Sequence, residues 1–194
     1  AIQACDWSSD VCSSDLPTTG IFRRGYGKDA VDDFFVDARH AYEGGLPAEQ
    51  FSAEQVRQAS FPRQRNGYDT QAVDAAMSRL EAAFVQRDRA DHIAVNGEAA
   101  WYEKVADRAT TLYPRLLRPY GDRFAHPKSG IGYDAEQVDD LLDRIAAFFD
   151  DREELLADDV RHALFKSARG KKAYAMGPVD AYLGRAVEIL LSVN

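Results

Sequence analysis

The side chains able to do covalent or metal chemistry are few and scattered. His40, His92, His126 and His162 share no metal-ligand spacing of the His-Glu-x-x-His kind. The sequence has no Gly-rich phosphate loop and no Gly-x-Ser-x-Gly elbow. The run Asp150-Asp151-Arg152-Glu153-Glu154 lacks the alternating oxygens and central glycine of a calcium loop, and it reads as a solvated helix face. No catalytic residue, cofactor site or metal site is expected, and the chain is not expected to be an enzyme. What remains is charge. Cations gather in four loops: Arg23 and Arg24; Arg63 and Arg65; Arg115, Arg118, Arg123 and Lys128, interleaved with Tyr113, Tyr120 and Phe124; and Arg161, Lys166, Arg169, Lys171 and Lys172, with no carboxylate between them. Residues 136–159 carry ten acids against Arg144 and Arg152. Such loops can lie on anionic lipid at about 1 kcal/mol per cation, meet an acidic protein, or simply balance the acidic helices. Nucleic acid is not an expected partner, because the net charge is −8 and no helix has a basic recognition face.

Each loop leads into the same skeleton: a Tyr, four residues, Val-Asp, then an apolar pair. It occurs at Tyr26 with Val31-Asp32, Tyr68 with Val73-Asp74, Tyr133 with Val138-Asp139, and Tyr174 with Val179-Asp180. After each Val, apolar residues fall at i+4, i+7 and i+11: Phe35, Ala38 and Tyr42; Met77, Leu80 and Phe84; Leu142, Ile145 and Phe149; Leu183, Ala186 and Leu190. That spacing predicts one amphipathic helix of roughly three turns per copy. Asp134 and Asp69 are predicted N-caps, with Gln137 able to close a capping box; Gly27 is a weaker cap and Pro178 fits a first turn. Gly25, Gly67 and Gly132 precede Tyr where a turn could need φ > 0, and the fourth copy has Ala173 there. Each Tyr is expected to pack back on its own helix. The four Asp residues are expected to favour their helix starts rather than to do chemistry.

The skeleton resembles the N-terminal domain of the DivIVA family, bacterial proteins that mark curved membrane at division sites and poles. Val56, Phe61, Gly67-Tyr68-Asp69 and Val73-Asp74 carry the family pattern in full; Val160, Phe165, Tyr174 and Val179-Asp180 carry it with a longer loop. The four-copy layout is similar to proteins described only as DivIVA-domain repeat proteins. The resemblance implies that copies pair, here within one chain, and that an aromatic-arginine tip enters membrane. Phe22 with Arg23 and Arg24 approximates that tip, displaced by one residue, whereas the second copy has Arg65-Asn66 and no long coiled coil follows.

The expected architecture is all-α: four loop–Gly-Tyr turn–helix units in two similar halves, the Tyr positions of the second half offset by 107 or 106 residues from those of the first. Residues 17–96 form a first pair, 97–130 a bridging helix (Glu98–Leu117) with its basic loop, and 131–194 a second pair. Helices are expected at about 53–60, 70–92, 135–156 and 157–164, with Ser52 or Pro47 near the start of the first of these. Asp6 to Leu16 matches the translation of sequencing-adapter DNA, so residues 1–16 are expected to be a disordered artefact. Without them both cysteines, Cys5 and Cys12, disappear, and loss of Asp6, Asp10 and Asp15 moves the net charge from −8 to −5. No 18-residue apolar run or signal peptide occurs, so a cytoplasmic protein, peripheral to the inner membrane face, is expected.

The functional expectation is a non-enzymatic scaffold in bacterial division or polar organisation. It would contact an unidentified partner protein or anionic membrane through Phe22, Arg23, Arg24, Arg63, Arg65, Arg118, Arg123, Lys128, Lys166, Arg169, Lys171 and Lys172. The alternative is a helical adaptor without a membrane role that uses the Glu98–Leu117 region. An exposed Phe22 favours the first reading and a buried one the second.

Overall fold

The computed structural model describes residues 16–20, 22–44 and 50–193. The adapter-like reading of residues 1–15 and the connector around Leu46 and Pro47 lie outside them. Leu16, placed with that artefact by sequence, packs against a hydrophobic core, and the Pro17 carbonyl accepts from the Asp69 amide at 2.7 Å. The protein is mostly helical, with a few short strands that the all-α expectation did not include. It divides into two compact units, one reaching to Ala90 and the other beginning at Asp91.

In the first unit β1 (Arg24–Tyr26) leads to α1 (Lys28–Tyr42), α2 (Ala53–Gln58), β2 (Arg63–Arg65) and α3 (Thr70–Asn96). Val31, Phe35, Ala38, Val56, Val73, Ala76, Leu80 and Phe84 close one core, which follows the expected stripes of α1 and α3. Ser52 caps α2: its Oγ accepts from Glu54 N, while Gln55 Oε1 accepts from Ser52 N at 2.8 Å. Glu81 is buried in this unit and ion-paired with Arg57 at 2.8 Å. Arg87 reaches from α3 to the carbonyls of Ala41 and Tyr42 in the last turn of α1, where Ala41 O also accepts from Gly44 N at 3.1 Å.

The second unit contains α4 (Glu98–Thr110), α5 (Tyr113–Leu116), β3 (Gly132–Asp134), α6 (Ala135–Phe149), α7 (Ala157–Arg161), β4 (Ser167–Ala168), a 3-10 turn at Gly170–Lys172, β5 (Ala173–Tyr174) and α8 (Met176–Val193). The helix expected to bridge the halves is part of this unit's core. Trp101, Val105, Ala109 and Leu112 are buried with Val138, Leu142, Ile145, Val179, Ala186 and Leu190, and Trp101 Nε1 donates to the Ser192 carbonyl at 3.1 Å. The helix expected over Glu98–Leu117, with Pro114 bending or ending it, stops at Thr110, and Pro114 sits in the first turn of the separate α5. α6 is also shorter than expected. It ends at Phe149, and Asp151 takes the left-handed conformation (φ 54°) that Asp tolerates better than most residues.

Candidate functional site: basic tips held by tyrosine–aspartate clasps

The Gly-Tyr segments are not turns; they face each other in antiparallel pairs, as strands or, at Tyr68, as an isolated β-bridge. In the first unit Tyr26 N donates to Tyr68 O and Tyr68 N to Tyr26 O, both at 2.9 Å. In the second, Tyr133 and Tyr174 pair in the same antiparallel sense, with β3 between β4 and β5. The glycines are explained by this approach and not by φ > 0, which none of Gly25, Gly67 and Gly132 adopts. A Cβ on Gly25 would fall 2.0 Å from Tyr68 O, one on Gly67 2.2 Å from Tyr26 O, and one on Gly132 2.1 Å from Tyr174 O.

The tyrosines also correct the expectation that each packs back on its own helix. Tyr68 OH donates to Asp32 on α1 at 3.0 Å, and Tyr174 OH to Asp139 on α6 at 2.8 Å. Tyr26 interacts in return with Asp74, and Tyr133 with Asp180. Each phenol thus addresses the Asp of the other copy in its unit. Burial first, and then the facing carboxylate, pushes all four phenols above their ordinary value, Tyr174 to about 12. The four Val residues beside these Asp are fully buried, which fixes the face each helix presents.

In the second unit the clasp is deeper. Asp139 is buried and also accepts from Gly121 N at 2.6 Å, and the left-handed conformation of Gly121 (φ 90°) turns that amide towards it. Arg123 is only 7% exposed: Nη1 donates to the Asp139 carbonyl at 2.8 Å, Nη2 pairs with Asp143, and its amide donates to Tyr174 OH at 3.0 Å. Arg123 therefore leaves the set of contact residues, because its charge is consumed inside the fold. Asp139 Oδ1 accepts no hydrogen bond, with Arg123 Nε 3.8 Å away, and burial holds this carboxyl above its ordinary value. Arg115, half-buried, stacks 4.5 Å from the Phe124 ring and donates to the Arg123 carbonyl at 2.7 Å. Arg118 and Lys128 remain exposed on this loop.

The clasps carry the basic segments outward. Across β1 and β2 the register sets Arg24 opposite Arg65 and Tyr26 opposite Arg63, with the Arg63 guanidinium 5.4 Å from the Tyr26 ring centre. Residues from two sequence-distant loops thus share one ribbon. Phe22 lies just beyond its end, 94% exposed, beside exposed Arg23. In the second unit Gly132 pairs with Ala168, and Lys166, Arg169, Lys171 and Lys172 are all exposed around that sheet. Gln137 does not complete the capping box expected with Asp134. Asp134 Oδ1 accepts from Gln137 N, but Gln137 Oε1 accepts from Lys166 N at 2.8 Å and so ties the basic loop to α6. Sequence reasoning missed Leu164 (94% exposed) and Ile131 (52% exposed), apolar residues among these cations; their adjacency to the basic run was the available signal.

Among the described residues no group of His, Cys, Asp and Glu is placed to hold a metal ion, and no helix is long and apolar enough to cross a membrane. Comparison of the chain with family models, curated proteins and solved structures finds no match.

Proposed function

We propose that the chain is a non-enzymatic scaffold of four DivIVA-like units, folded as two intramolecular pairs, that meets an anionic membrane surface in bacterial cell division or polar organisation. The reciprocal Tyr–Asp contacts within each unit support the pairing, since each copy completes the other's clasp as two chains of a dimer would. The observation that carries the membrane reading is Phe22. A phenyl ring left in water at the end of a ribbon bearing Arg24, Arg63 and Arg65 has the chemistry of an interfacial anchor. No carboxylate among the described residues pairs with these arginines or with Arg23, so their charge is available to lipid phosphates.

Liposome co-sedimentation of the full chain tests this. The expected result is pelleting with anionic but not neutral vesicles, weakened by salt. Phe22→Ser should lower the apparent affinity roughly tenfold or more, the loss of one buried aromatic side chain. Absence of pelleting at every salt concentration would leave the helical-adaptor reading. Exposed Tyr113, Leu117 and Tyr120, at and just after α5, are the surface that favours that alternative.

A further inference from the structure

The second unit carries two exposed features of opposite character, apart from the Phe22 tip on which the membrane reading rests. Where α6 stops, the chain turns through Asp150–Glu154 and walls a cleft of about 500 Å³. Phe148 and buried Leu155 line it, exposed Leu156 stands at its edge, and its charged groups are Asp151, Glu153 and Glu154 with Arg152, which is itself ion-paired to Asp150 at 2.6 Å. Glu153 is held by Arg144 at 2.7 Å, whereas Asp151 and Glu154 pair with no cation among the described residues. Beyond α7 lies the complement. Leu164 is 94% exposed, and Lys166, Arg169, Lys171 and Lys172 follow it with no ion pair to any described carboxylate. The tip is not seated in the cleft of its own chain, because nothing covers Leu164.

We infer that this cleft receives the Leu164 tip of a second copy of the chain. One apolar side chain enters a part-apolar hollow, and the cations around it answer Asp151 and Glu154. Two arguments favour a second copy as the occupant. The charges are complementary, four cations without a carboxylate against an acidic mouth. The apolar residue and the flanking charge that the cleft calls for are also both present on the same unit, so every copy can give and receive. The surface is small and its acids are exposed, so the association is weak and salt-sensitive. It needs no lipid and goes beyond the membrane reading.

Sedimentation velocity of the full chain, without lipid and over a dilution series at low and high salt, reads it directly. The expected result is a sedimentation coefficient that rises with protein concentration at low salt and much less at high salt. Leu164→Ser should abolish the rise, and because Leu164 is solvent-exposed the substitution leaves the core intact. A Lys171→Glu/Lys172→Glu chain and a Glu154→Lys chain should each stay monomeric alone, yet associate when mixed, since the basic tip of one then meets the acidic cleft of the other. A monomer at every concentration would overturn the inference. So would association that survives Leu164→Ser, or a mixture that stays monomeric while the unaltered chain associates. With no vesicles present, failure here leaves the membrane reading standing, and the liposome result leaves this one standing.

Discussion

A tyrosine hydroxyl and an aspartate decide how each unit closes, and the two units use them at different depths. Asp139 is fully buried and already has one oxygen without a hydrogen bond, so Tyr174→Phe would remove a donor from a carboxylate that water cannot reach. The expected loss is about 2–3 kcal/mol of unfolding free energy in urea. Tyr68→Phe removes the same bond from Asp32, which is part-exposed and can recruit solvent, and should cost about 0.5–1.5 kcal/mol. Equal losses at the two positions would contradict the difference in depth. The glycines carry a sharper expectation. Gly132→Ala would bring a methyl group 2.1 Å from the Tyr174 carbonyl oxygen, and strand separation should cost about 2–4 kcal/mol. The phenols also set a pH window. All four are raised above their unfolded value, so the folded chain retains protons that the unfolded chain releases. Their contribution is fully present below pH 10 and is lost as pH climbs through the folded values, about 12 for Tyr174. Thermal unfolding followed between pH 9 and 12 should show this as a steepening fall in Tm, and Tyr174→Phe should make the fall shallower.

At the scale of elements, the long helices were legible because their apolar residues recur at a period of 3.6, and Val31, Val73, Val138 and Val179 are all buried where that period puts them. The strands were not legible. Each is two or three residues long, too short for an alternating pattern, and exists because another copy's backbone lies opposite. The end of α6 was missed for a different reason. Asp150-Asp151-Arg152-Glu153-Glu154 contains no Gly or Pro, yet Asp151 adopts left-handed φ and stops the helix. Asp151→Gly should therefore be neutral or stabilise by up to about 1 kcal/mol, while Asp151→Val should cost about 1–2 kcal/mol in chemical denaturation. A stabilising valine would mean that the turn does not need its left-handed residue. The basic loop before β3 misled in composition, because Arg118 and Arg123 look alike in sequence. Only the fold reveals that Arg123 is spent on Asp139 and Asp143, while Arg118 stays at the surface.

For the whole molecule, the net charge is −8, yet Arg23, Arg24, Arg63, Arg65, Lys166, Arg169, Lys171 and Lys172 gather outside the α-helices. Sequence located the cations but not their grouping. Arg24 and Arg65 are 41 positions apart and become direct strand partners only because the clasp brings their copies together. Nor could sequence decide whether Phe22 is core or anchor, since an aromatic before a Gly-Tyr strand can serve either purpose; its 94% exposure is a property of the folded unit. The central claim, that this tip enters an anionic surface, is tested most directly by placing a reporter at the residue itself. In a Phe22→Trp chain, the indole should fluoresce as a water-exposed group in buffer and shift to the blue when anionic vesicles are added. The unsubstituted chain serves as control for buried Trp101 and for Trp7. A shift with anionic but not neutral vesicles, reversed by salt, is the predicted result. An emission spectrum that stays that of water-exposed indole with anionic vesicles present would contradict the account.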